Sequence, residues 1–69
     1  MTFDCYGRFR LDVVREGGRW VVYRTGTGTR VPDRDVRLPP ELAEDDLAAF
    51  LDDLFHEYAR PGQSITRLA

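Results

Sequence analysis

"FDCYGRFRLDVVREGGRWVVYR", residues 3–24, carries the pattern on which the fold turns. Phe3, Cys5, Phe9, Leu11 and Val13 fall on odd positions, and Asp4, Arg8, Arg10 and Asp12 on even ones. Successive side chains of a strand point to opposite sides, so this period of two marks a strand with one buried face. Gly7 sits on the apolar parity and marks a bulge or bend. Gly17-Gly18 then supplies positive φ at both central positions of a two-residue hairpin loop. Such a loop sets Glu16 opposite Arg19, Val14 opposite Val21, Val13 opposite Val22 and Asp12 opposite Tyr23. Trp20 and Val22 then join Phe9, Leu11 and Val13 on the core face. Val14, Val21 and Tyr23 land on the other face, beside Arg10. A three-residue loop would slip this register and reverse the faces of the second strand.

Working outward, "TGTGTRVPDR" (25–34) reads as a loop, rich in Gly and Thr with Pro32 near its end. "DVRLPP" (35–40) reads as a short third strand, with Val36 and Leu38 on one side, ended by Pro39 and Pro40 because proline cannot donate to the ladder. From about Ala43 to Arg60 the period changes. Leu47, Phe50, Leu51, Leu54 and Tyr58 follow the spacing of one apolar helix stripe. Glu41, Glu44, Asp45 and Asp46 crowd its start, where the helix dipole favours acids, and Pro61-Gly62 stops it. The tail, "QSITRLA" (63–69), is either a short closing strand or a loose end. Short strands joined by short loops favour a meander. The expectation is a single α+β domain over residues 1–69, a three-stranded antiparallel β-meander packed on one C-terminal amphipathic helix (β-β-β-α).

With 69 residues the chain makes one domain with a thin core. Hydrophobic residues at 42% and charged ones at 32% place it among soluble globular domains rather than disordered chains. The lone Cys5 excludes an intrachain disulfide framework and a multi-cysteine zinc site. "MTFDCYGRFR" has no apolar leader core and no stretch approaches membrane-span length, so the expected location is the cytoplasm. The net charge of −2 is unevenly spread: residues 1–37 hold eight arginines against five acids, and residues 38–69 two against seven. All ten basic residues are arginine. High-GC codon usage accounts for that, and so would a preference for planar, bidentate contacts.

Candidate chemistry dissolves on inspection. The only histidine, His56, precedes Glu57 in "FLDDLFHEYARPG" (50–62), like the opening of a zinc-protease motif. That motif needs a second histidine four positions on, and Arg60 stands there. On the helix His56 lies opposite Leu47, on the solvent side with Asp52, Asp53 and Arg60. "GTGTR" (26–30) lacks the third glycine of a dinucleotide loop and the Gly-Lys-Ser/Thr ending of a triphosphate loop. It reads as a flexible hairpin loop. Cys5 is a buried thiol by parity. Asp45-Asp46 and Asp52-Asp53 diverge around the helix axis, and Ser64 has no partner base that the sequence identifies. No nucleophile, base and orienter assemble. The chain is expected to be no enzyme, with no catalytic residue, no cofactor and no metal.

Two features remain. Val14, Val21 and Tyr23 form an apolar patch on the uncovered sheet face, ringed by Arg8, Arg10 and Thr25, which suggests a protein partner or a homodimer. The arginines of the strands and loops, with Tyr6 and Tyr23, could bind phosphates and stack bases, which makes nucleic acid the alternative partner. Interleaved acids and a pI of about 5.2 argue against that alternative. Nothing points to a membrane or a small-molecule substrate.

"YGRFRLDVVREGGRWVVYR", "DVRLPPEL" and "LDDLFHEYARPG" together resemble a family of small bacterial proteins of about this length and of unknown function. The resemblance implies a sheet-plus-helix domain and carries over no active site and no ligand. The MbtH-like partners of peptide synthetases are similar in size and build. Their Ser-Leu-Trp-Pro and Trp-Thr-Asp signatures are not matched here, where Trp20 lies in "RWVVY". That comparison implies only that a fold of this size can act by binding a larger protein.

Overall fold

The computed structural model describes residues 1–26 and 28–69. Its central hairpin follows from two glycines. Gly17 and Gly18 have φ of 57° and 77°, positive at both positions, which fits the right-handed twist of the flanking strands. Strands β2 (Phe9–Glu16) and β3 (Arg19–Gly26) pair in the expected register, with Val14 opposite Val21, Val13 opposite Val22 and Asp12 opposite Tyr23.

The first apolar stretch is two strands, not one. Strand β1 (Thr2–Cys5) ends in a turn at Tyr6–Arg8 and runs back antiparallel to β2. The Arg8 N–H donates to the Cys5 carbonyl (3.0 Å), and the Gly7 N–H to Asp4 Oδ2 (3.0 Å). Cys5 pairs with Phe9 and Phe3 with Leu11. Because three residues separate Cys5 from Phe9, odd positions stay on one face through the reversal. The alternation therefore continues unbroken across a turn.

The third strand is also elsewhere. Beyond residue 27 a further strand pairs: Gly26 is opposite Thr29, and β4 (Thr29–Pro32) lies beside β3, with Arg24 opposite Val31. Thr27, within the loop expected at 26–30, lies outside the described residues. The Asp33 N–H donates to the Val22 carbonyl (2.8 Å). Bonded pairs then alternate so that the donor Pro32 lacks would face away from β3, where an edge strand tolerates proline. "DVRLPP" forms no strand, because β4 already holds the place beside β3 and its prolines cannot join a ladder. It crosses the core face instead, with Leu38 buried and Val36 half-buried.

Helix α1 (Leu47–Phe55) is shorter than expected, with a 3-10 turn at Glu44–Asp46 before it and another at His56–Tyr58 after it. Leu47 and Leu51 are fully buried, while Leu54 is 43% and Tyr58 51% exposed. Phe55 leaves the helical region (φ −114°, ψ 8°), so the last turn drifts out of line with the stripe. The tail is a closing strand. β5 (Ile65–Arg67) pairs with β1, Cys5 opposite Ile65, and the Tyr6 N–H donates to the Ser64 carbonyl (3.1 Å).

Among the described residues the sheet thus has five strands rather than three, antiparallel throughout, in the order β4-β3-β2-β1-β5. One face carries the core: Phe3, Cys5, Leu11, Val13 and Val22 from the sheet meet Leu38, Leu47 and Leu51. Tyr6 closes it from the side. Its ring is 2% exposed, and its hydroxyl donates to the Asp52 carboxylate on α1.

Candidate functional site

The register fixes what the other sheet face displays. Across β1 to β4 the rows read Asp4, Arg10, Thr25, Arg30; then Thr2, Asp12, Tyr23, Pro32. On β2 and β3 alone follow Val14 with Val21, then Glu16 with Arg19. Asp12 and Arg30 are paired on this face. The Arg30 guanidinium is 3.1 Å from Asp12 and lies 4.0 Å over the Tyr23 ring. The Tyr23 hydroxyl donates to Glu16 (3.1 Å), and that carboxylate holds the phenol above its ordinary pKa. The structure brings Arg10, Val14, Val21 and Tyr23 together here. Arg8 stands apart, in the turn after β1, beside Phe9 and Arg24.

A second surface lies on the helix side, where α1 leaves the β3–β4 corner uncovered. Phe9 meets Phe55 edge-on with centroids 5.3 Å apart, and Tyr58 at 6.1 Å. The Arg24 guanidinium covers Phe9 at 4.4 Å and reaches Asp33 at 3.5 Å. Two shallow depressions of about 650 and 270 Å³ meet at Arg24, Asp33 and Asp35. Val31 (57% exposed), Leu54 and Tyr58 all open onto them. Among the described residues, these are three of the four large apolar side chains left exposed. Sequence reasoning placed Leu54 and Tyr58 in the core and Val31 in a loop. The missing signal was the position of β4, which helical periodicity does not encode.

The groups with chemical potential are placed as follows. Cys5 is fully buried, and burial, with Asp4 adding and Arg24 opposing, pushes its thiol up to about 11. A thiol held protonated in this way is a poor nucleophile at neutral pH. His56 is exposed, its Nδ1 3.2 Å from the Asp53 carbonyl oxygen. Tyr6, taken above as a base-stacking candidate with Tyr23, is under the helix edge and unavailable for stacking, because its turn directs the ring inward. Three arginines lie over aromatic rings of the same chain: Arg15 on Trp20 at 4.5 Å, Arg24 on Phe9 and Arg30 on Tyr23. Arg15 also donates to the Pro40 carbonyl (2.7 Å). Among the described residues no helix is long and apolar enough to cross a membrane.

Among the described residues these features define a small α+β domain: an open antiparallel sheet with one C-terminal helix on one face. The whole chain, residues 1–69, matches the domain of unknown function DUF7661, and it belongs to that family. No curated protein and no solved structure matches it.

Proposed function

We propose that the chain is a non-catalytic interaction module that works by docking another protein on the β3–β4 corner. The observation that carries this reading is the gathering of Val31, Leu54 and Tyr58 around one pair of depressions. Exposed apolar side chains scattered singly need no explanation, whereas three around adjoining depressions, with half-buried Phe9 and Phe55 in their lining, do. Aromatic rings with a flanking arginine are the residue types that anchor protein interfaces. The matching partner is a protein segment that inserts one or two large apolar side chains.

Nucleic acid is the weaker reading. Arg15, Arg24 and Arg30 are engaged with rings, a carbonyl or carboxylates of the same chain, and a phosphate would have to displace those contacts.

Immobilised wild-type chain and a Leu54→Ser/Tyr58→Ser variant, presented to native lysate at low and high salt, test the proposal. The wild type retains a protein that the variant loses, with little dependence on salt. Identical retention by both would overturn it. So would retention of nucleic acid alone, falling steeply as salt rises through counterion release.

A further inference from the structure

We propose that the outer face of the sheet is covered by a second copy of the same chain, in a two-fold, face-to-face dimer. This concerns the surface opposite the β3–β4 corner and stands independently of the docking reading.

The edges of the sheet are poor places to associate. At one edge β4 presents Arg30 and Pro32, and at the other β5 is only three residues long. Charged residues, proline and short length are the devices that blunt edge pairing. The faces remain, and the core occupies one of them.

The outer face is built to meet its own image. Val14, Val21, Tyr23 and Pro32 are apolar neighbours at its middle, where Asp12 stands beside Tyr23 and its partner Arg30 lies over the Tyr23 ring, and the more charged rows flank them. Asp4, Asp12 and Glu16 are balanced by Arg10, Arg19 and Arg30, so two copies meet without net repulsion. An isologous contact requires that self-complementarity. A strongly acidic or basic partner would instead meet as much repulsion as attraction. The contacts of Asp12 with Arg30 and of Glu16 with Tyr23 also matter. Groups already satisfied within one copy bring a smaller desolvation penalty when the face is covered.

The area fits a weak dimer. Strands about 4.8 Å apart and about 3.3 Å per residue give the 27 residues of the five strands a footprint of about 430 Å² per copy. Side-chain relief brings the buried surface near the lower end of specific interfaces, about 600 Å² a side. Aligned sheets pack about 10 Å apart, which lets Val14 and Val21 of one copy interleave with those of the other.

Sedimentation equilibrium of the purified chain, from low micromolar to millimolar concentration, reads the dimer directly. The expected result is a reversible dimer whose dissociation constant changes little between low and high salt. Val21→Arg raises that constant at least tenfold, and Leu54→Ser/Tyr58→Ser leaves it unchanged. Should Val21→Arg fail to fold by circular dichroism, a dilution series of amide NMR spectra on the wild type decides instead. Shifts centred on Val14, Val21 and Tyr23 support the dimer, and shifts confined to other surfaces overturn it. A monomer at every concentration overturns it too, and leaves the docking reading at the corner intact.

Discussion

Tyr6 reaches across 46 positions of sequence to donate its hydroxyl to the carboxylate of Asp52, tying the first turn of the sheet to the helix. The backbone of Tyr6 sits at φ 60°, a region that bulky side chains rarely adopt. The buried ring and its hydrogen bond offset that strain. Removing only the hydroxyl, in Tyr6→Phe, is expected to cost about 1 kcal/mol in urea unfolding. Removing the ring, in Tyr6→Ala, is expected to cost about 3–5 kcal/mol. Equal stability of Tyr6→Phe and wild type would show that the bond contributes nothing.

Alkaline pH should loosen the fold before acid does anything comparable at these sites. Burial raises the Cys5 thiol from 9.0 to about 11, and burial followed by Asp52 raises the Tyr6 phenol in the same direction. Each group holds its proton longer in the folded chain than in the unfolded one. Their contribution is complete below the unfolded values and declines as pH rises toward the folded ones. Chemical unfolding measured from pH 7 upward should therefore show a plateau and then a fall beginning near pH 9.0. Cys5→Ala should lower the plateau through lost packing but flatten the first part of that fall. An unchanged slope in Cys5→Ala would remove the thiol from the account.

The two faces of α1 give a contrast within one element. Leu51 is fully buried and Leu54 is 43% exposed. Leu51→Ala should cost about 2–5 kcal/mol, the range for emptying a packed site. Leu54→Ala should cost less than about 1 kcal/mol. Comparable losses in thermal melts of the pair would mean that the buried stripe runs through Leu54 as well, as helical periodicity alone suggests.

At the central hairpin, Gly17→Asn should leave stability within about 0.5 kcal/mol, because asparagine accepts positive φ in a primed turn. Gly18→Val, at φ 77°, should cost at least about 1–2 kcal/mol. A two-state urea series reads both, and a harmless valine would mean that the turn is not of this kind.

Trp20 ties the segment after β4 to the sheet: its indole N–H donates to the Leu42 carbonyl (2.9 Å), under the Arg15 guanidinium. Trp20→Phe should cost about 1 kcal/mol for that bond plus a share of packing. Hydrogen exchange across residues 36–42 should quicken in this variant more than exchange in β1. Uniform quickening would place the effect on global stability instead.

What could be read directly from residues was whatever local chemistry decides alone. Gly17-Gly18 dictated a two-residue turn, and with it every pairing from Glu16–Arg19 to Asp12–Tyr23. Leu47 and Leu51 dictated the buried side of the helix. The reversal at Tyr6–Arg8 was hidden because a turn of odd length leaves the alternation in phase. β4 was hidden because Thr29–Pro32 is exposed at every position, so no alternation of apolar residues announces it. The same concealment masked the corner, which exists only once β4 sets Val31 on a depression adjoining the one that Leu54 and Tyr58 line. Arg10, Val14, Val21 and Tyr23 were legible as a set because they follow from the hairpin register, and Arg8 was not, because the turn removes it from that face.

β1 lies between β2 and β5, and those two neighbours stand at opposite ends of the order in which the chain is made. During synthesis β1 can pair on one side almost at once, while its other side must wait until Ile65–Arg67 has left the ribosome. Pairing that spans such a separation is slow to form. Until then the edge carrying Phe3 and Cys5 is an open template for a neighbouring chain. The nascent protein is therefore most prone to aggregate in the interval before β5 arrives.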